Sequence, residues 1–263
     1  MNGAIEAVLR ERRDSGQKCL VPYVTGGLGD DWIDTLRAVA DAGADAIEIG
    51  VPFSDPVMDG PTIQAANDRA LEGGATPQSI LGSLRNADIG VPTAVMTYAN
   101  IAFHAGYERF ASMLAGAGVS GCILPDLPLE ELGPWSEAAD AAGIETILLA
   151  APTTPDERLG RICARSRGFV YGVGLMGITG VRDVLADSAK VMAGRLKAVT
   201  DLPVLVGVGV GTPEQAVSVS EVSDGVVVGS AIVQRMLGRS GPQGVAELVS
   251  EFRVALDANS AMD

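Results

Sequence analysis

Asp41-Ala-Gly-Ala-Asp-Ala-Ile-Glu48 ends a helix, turns on Gly43 and starts a strand. A glycine just past a helical stretch is a C-cap signal, and the apolar residues after it open a buried strand. The same succession recurs at Ala115-Gly-Ala-Gly-Val-Ser-Gly-Cys-Ile123 and at Asp140-Ala-Ala-Gly-Ile-Glu-Thr-Ile147. Short apolar, β-branched runs of this kind read as buried parallel strands. They fall at Leu20–Val24, Ala46–Val51, Thr93–Tyr98, Gly121–Pro125, Glu145–Ala150, Phe169–Val173, Val204–Val208 and Gly225–Val228. Between them lie helical stretches at Trp32–Ala42, Tyr107–Ala117, Glu130–Ala142, Pro155–Ser166, Ser188–Val199 and Pro213–Val219. A helix at Ala4–Asp14 precedes the first strand, and another at Val245–Ala258 closes the chain. Eight strands alternating with helices is the (β/α)8 count, and 263 residues suits one such barrel. The expected fold is therefore α/β: a single-domain (β/α)8 TIM barrel over residues 1–263 with an extra N-terminal helix. An open doubly wound sheet is the alternative. Its Gly-x-Gly-x-x-Gly turn is missing, and Thr25-Gly-Gly-Leu-Gly-Asp30 stands there instead.

Composition narrows the partners. Lys and Arg number 19 against 33 Asp and Glu, a net charge of −14. Nucleic acid and anionic membranes both need a dominant cationic face, so neither is expected as a partner. Cys19, Cys122 and Cys163 are odd in number and far apart, which argues against a disulfide framework or a zinc site. No apolar run reaches the ~18 residues of a membrane span, and the first ten residues lack signal-peptide features. A cytoplasmic location is expected.

In a (β/α)8 barrel the strand C-termini and the loops after them carry the chemistry. Glu48 interrupts an apolar strand. Ile47 and Ile49 share one face and would meet the helices, whereas Ala46, Glu48 and Gly50 share the other and would line the barrel interior. A carboxylate there is costly unless paired or protonated, so Glu48 is either catalytic or satisfied by backbone donors. The following loop carries Ser54, Asp55 and Asp59 among Pro52, Pro56 and Pro61. Each Asp is a candidate acid/base group on a lid or, equally, a turn former or helix cap. Further on, Gly207, Gly209 and Gly211 around strand 7 and Gly229-Ser230 after strand 8 expose backbone N–H groups at a helix start. That arrangement binds a phosphate without a cationic side chain, though tight turns also use such glycines. His104, the sole histidine, is placed in the loop after strand 3, where a structural or solvated role outweighs a catalytic one. Asp126 could orient a lid residue or cap the next helix. No metal-ligand cluster and no strand-end Schiff-base lysine stands out.

Glu48-Ile-Gly-Val-Pro-Phe-Ser-Asp-Pro-Val-Met-Asp-Gly-Pro-Thr-Ile-Gln64 closely resembles the signature of the tryptophan synthase α chain family. Pro22-Tyr-Val-Thr25, Ala42-Gly-Ala-Asp-Ala46, Met96-Thr-Tyr-Ala-Asn100, Leu124-Pro-Asp-Leu-Pro128, Gly177-Ile-Thr-Gly180 and Gly229-Ser-Ala-Ile-Val233 follow in the family's order, so the likeness spans nearly the whole chain. The resemblance implies a carbon–carbon lyase, cleaving indole-3-glycerol phosphate to indole and glyceraldehyde 3-phosphate by retro-aldol chemistry. It implies no cofactor in this chain. The partner would be a beta chain carrying pyridoxal phosphate (PLP), joined in an α2β2 heterotetramer for L-tryptophan biosynthesis. On this sequence Glu48 and Asp59 would be catalytic: Glu48 for the ring and hydroxyl protons, Asp59 for the indole N–H. Gly180, Gly209, Gly229 and Ser230 would hold the phosphate, Tyr171 would stand near Glu48, and Thr179 would close over the site. Tyr23 occupies a position usually held by Phe and would pack on the substrate. Two departures stand out: Gly174 and Leu175 replace a common Ser-Arg pair, and Gly26-Gly-Leu-Gly-Asp30 replaces a commoner Gly-Asp-Pro form. Competing readings are a free-standing lyase, a non-catalytic regulatory subunit and another phosphosugar isomerase. A pure binding module has no use for both Glu48 and Asp59, and the isomerase's expected residues on other strands are not found.

Overall fold

The first strand shows how the chain divides its side chains. In β1 (Cys19–Thr25) all seven residues are buried, but to two different sides. Cys19 and Val21 join one apolar cluster, and Leu20 and Val24 join another. The same alternation runs through β2 (Ile47–Gly50), with Ala46 inward and Ile47 and Ile49 outward against the helices, as the residue pattern leads one to expect. Burial on both faces marks a parallel strand covered by helices.

The computed structural model describes residues 3–174, 182–207 and 209–260. After α1 (Ala4–Asp14) and β1 come α2 (Trp32–Asp41), β2, α3 (Pro61–Glu72), α4 (Pro77–Leu84) and β3 (Thr93–Met96). Next are α5 (Ala99–Ala105), α6 (Tyr107–Gly116), β4 (Gly121–Ile123), α7 (Gly133–Ala142), β5 (Glu145–Ala150), α8 (Asp156–Arg165) and β6 (Val170–Gly172). The chain ends with α9 (Arg182–Lys197), β7 (Val204–Val206), α10 (Pro213–Ser220), β8 (Gly225–Val228), α11 (Ser230–Leu237) and α12 (Gly241–Ser260). All strand pairings are parallel, and β8 closes on β1 to complete the barrel.

Local chemistry sets several boundaries. Thr76 and Thr212 each form a capping box, with Ser79 and Gln215 respectively, and each is followed by a proline in the first helical turn. Gly143 takes the left-handed conformation that ends α7. At the barrel's N-terminal end α1 acts as a plug. Its Ile5 and Leu9 enter the interior cluster with Val21, Ala46, Ile123 and Val227. The carboxylate of Glu145, at the start of β5, accepts from the N–H groups of Ile5 and Glu6, both at 2.9 Å. Several placements differ from the sequence reading: α9 and α12 begin at Arg182 and Gly241, ahead of the expected Ser188 and Val245. His104 sits in the last turn of α5 and is solvent-exposed, because the segment after β3 is helical and not a loop. The helix expected from Glu130 begins at Gly133, since Pro128–Leu132 is taken up by turns.

Candidate active site

At the C-terminal end of the strands a cavity of about 400 Å³ opens, lined by residues from all eight strands or the segments that follow them. Its floor is Glu48, 1% exposed, which β2 points into the barrel. Two tyrosines flank it. Tyr23 on β1 pairs in register with Glu48, and Tyr171 comes from β6 across the barrel. Each ring occupies space that a glycine leaves free. A Cβ at Gly50 would overlap the Tyr23 phenol, and one at Gly207 would overlap the ring of Tyr171. The small inward face of β2 is thus the seat of a neighbouring aromatic ring.

The roof is the segment between β2 and α3. Pro61 in the first turn of α3 stiffens its end, and Asp59 faces the cavity. Asp59 Oδ2 accepts from Tyr98 Oη at 3.2 Å and from Asn67 Nδ2 at 3.3 Å. The Tyr98 hydroxyl also accepts from the Met58 N–H at 2.9 Å, and the ring stacks on Phe53 at 4.9 Å. One phenol at the end of β3 therefore ties down both backbone and carboxylate of the loop above. Neither Tyr98 nor Asn67 was singled out from the sequence. The available signal was a polar residue at the end of the third strand.

Electrostatics separate the two carboxyls. Burial pushes Glu48 up to about 8, and the charge of Asp59 adds to the effect. Asp59 is raised by burial too, but the bonds from Tyr98 and Asn67 oppose the shift. Glu48 is therefore a carboxylic acid near neutral pH, poised to give and retake a proton. No Lys, Arg or His lines the cavity among the described residues.

The third side of the cavity is built from backbone. Gly207 and Gly209 follow β7, and Gly229 follows β8 as the residue before α11. Gly209 has φ +85°, a left-handed conformation that suits glycine. Ser230 opens α11, so its N–H and its neighbours' present the positive end of a helix to the cavity. Glu48, Asp59, Tyr23, Tyr171, Gly209, Gly229 and Ser230 thus meet at one cavity, and Gly174 lines it as well. Thr179, Gly180 and Leu175 lie outside the described residues. Asp126 is elsewhere. Its Oδ1 accepts from the Ala99 N–H at 2.8 Å, capping α5, the helix after the preceding strand, in place of the next helix or a lid residue. No group of three or more metal-ligating side chains occurs among the described residues.

Such a barrel, with two carboxyls of unlike environment facing an apolar cavity and a backbone anion cradle beside them, defines an acid/base enzyme for a phosphorylated, largely apolar substrate. A family model described as "Tryptophan synthase alpha chain" matches residues 9–257. The chain belongs to the tryptophan synthase alpha chain family; it is a carbon–carbon lyase whose reaction is the cleavage of indole-3-glycerol phosphate, and the family works with a beta chain. It is 44% identical over 256 residues to the tryptophan synthase alpha chain of Thermobifida fusca, covering 95% of each chain. The Streptomyces avermitilis alpha chain is 45% identical over 252 residues, with 93% of this chain and 91% of that one covered. Among solved structures, Mycobacterium tuberculosis tryptophan synthase superposes with a TM-score of 0.89 at 36% identity, covering 97% of this chain and 99% of that one.

Proposed function

We propose that this cavity performs the retro-aldol cleavage with Glu48 as the proton-transferring acid and base and Asp59 as the group that balances charge on the indole ring. The observation that carries the reading is the buried Glu48, protonated near neutrality and facing Asp59 across the cavity. Protonated Glu48 delivers its proton to the ring carbon that bears the side chain. The cation that forms is spread to the ring nitrogen, whose N–H the Asp59 carboxylate accepts. Glu48, now ionised, takes the proton of the hydroxyl on the adjacent side-chain carbon. The carbon–carbon bond breaks, its electron pair restores the aromatic ring, and the hydroxyl carbon becomes the aldehyde of glyceraldehyde 3-phosphate. The net result is one proton moved from hydroxyl to ring through a single carboxyl.

Gly209, Gly229 and Ser230 hold the phosphate at the start of α11. The apolar walls, including Ile63, Met96, Leu149 and Val173, receive the indole. The chain uses no cofactor of its own, and pyridoxal phosphate belongs to the beta chain that receives the indole. Val57 and Phe103 stand 78% and 73% exposed on segments that follow β2 and β3 at the cavity's end of the barrel. They are exposed apolar side chains suited to that partner in an α2β2 assembly.

The test is release of indole from indole-3-glycerol phosphate, measured with and without a beta chain. Glu48→Gln is expected to bind substrate but lose roughly 100- to 10,000-fold in rate, the usual span for a general acid/base. Turnover near the parent level in that variant overturns the assignment.

A further inference from the structure

The cleavage steps leave two buried hydroxyls of the cavity unused, those of Tyr171 and Tyr23, and of the two only Tyr23 stands on a strand that adjoins β2. The ring alone would fill the space above Gly50, and a phenylalanine would do that without bringing a hydroxyl into an apolar wall. The hydroxyl lies where its chemistry matters. Tyr23 is the register partner of Glu48 on the adjoining strand, and its ring leans across to β2 over Gly50, the next inward position after Glu48. Asp59 and Glu48 are the charged groups that face it. The other titratable groups around it are phenols, Tyr98 and Tyr171. Asp59 already has Tyr98 and Asn67 as donors, whereas Glu48 Oε2 is buried with no hydrogen-bond partner.

Resting on the cleavage reading above, we propose that Tyr23 is a positioning residue for the proton-transferring carboxyl: its hydroxyl donates a hydrogen bond to Glu48 once that group is ionised. The step that needs this bond is the one after ring protonation, when a carboxylate stands in a cavity that no Lys, Arg or His lines among the described residues and must take the hydroxyl proton. A phenol suits the task. Burial holds its own proton firmly, so it donates without being deprotonated. It also rotates about its C–O bond and can follow the charge as it appears.

The experiment is Tyr23→Phe in the full chain assembled with a beta chain, with kcat and KM for indole-3-glycerol phosphate measured across pH. In parallel, the Glu48 carboxyl is titrated by carbon NMR in the ligand-free chain, with its signal assigned by Glu48→Gln. Removing the donor is expected to lower kcat roughly 10- to 100-fold, the worth of a hydrogen bond to a charged group, with little change in KM. The rate loss at high pH that follows Glu48 ionisation moves further upward. The NMR midpoint likewise moves above that of the parent. An unmoved midpoint, or a rise in KM at constant kcat and an unchanged pH profile, overturns the proposal and leaves Tyr23 as packing alone. If Glu48→Gln cleaves as fast as the parent, the cleavage reading fails. The NMR midpoint in Tyr23→Phe still decides, separately, whether the hydrogen bond exists.

Discussion

Glu48 and Asp59 are held in opposite ways, and the difference sets what substitution at each neighbour does. Glu48 is fixed by its strand, whereas Asp59 sits on a segment whose position depends on the Tyr98 hydroxyl and on Asn67. Tyr98→Phe keeps the stack on Phe53 but removes the donor to Asp59 and the acceptor for Met58 N–H. We expect kcat/KM to fall about 10-fold, the scale of one or two hydrogen bonds. Asp59→Asn should fall much further, by at least ~100-fold in kcat with a smaller effect on affinity, because the charge facing the ring cation is gone. The double variant should be no slower than Asp59→Asn alone, since Tyr98 acts through Asp59. Additive losses in steady-state kinetics would show that Tyr98 has an independent role. Glu48 was legible in the sequence because a single acid breaks an apolar strand. Tyr98 was not, because its partner lies 39 residues away and only the pairing of β2 with β3 brings the two segments together.

Among the elements, α11 is the one whose position is functional more than structural. It is an eight-residue helix whose N-terminus, Gly229-Ser230, opens on the cavity. A substitution at Gly209 would confound phosphate binding with backbone strain, because φ there is +85°. Gly229 has φ −103°, and a Cβ would meet only Tyr23 Cβ at an ordinary 3.8 Å. Gly229→Val should therefore fold normally while its side chain blocks the close approach of an anion. Calorimetric titration is expected to show glyceraldehyde 3-phosphate and the phosphorylated substrate weakened at least about tenfold, with indole bound as before. Equal weakening of indole would make Gly229 a packing residue of the barrel. All eight strands were readable from β-branched runs between glycine turns, and the start of α11 from Gly229-Ser230. The helices α4 and α5 were not. Each spans fewer than three turns, eight and seven residues, and each is one of two helices in its strand-to-strand connection, which an alternation of one helix per strand does not call for.

The whole molecule bears the consequence of burying acids at both ends of its barrel. Glu48 at the cavity floor and Glu145 under α1 both have their acidities weakened, burial being the first cause in each case, and Asp45 and Asp59 move the same way. When the folded pKa lies above the unfolded value, the native state holds protons that the unfolded chain has released. Stability is then greatest below the unfolded pKa and declines as pH rises toward the folded one. For Glu48 that window runs from the ordinary 4.5 to about 8, a difference of order a few kcal/mol at ~1.4 kcal/mol per unit. The site that supplies an acid at neutral pH therefore weakens the fold under the same conditions. Glu48→Gln removes this ionisation. Its amide adds a desolvation cost of its own, but that cost does not vary with pH, so the slope and not the absolute stability is the diagnostic. In thermal unfolding at pH 5 and pH 8, the parent should lose more melting temperature between the two than Glu48→Gln does. The residual slope of the variant then belongs to Asp45, Asp59 and Glu145. Identical slopes in the two proteins would mean that Glu48 ionises in the folded chain as readily as in water, and would remove the basis for its role as an acid near neutral pH.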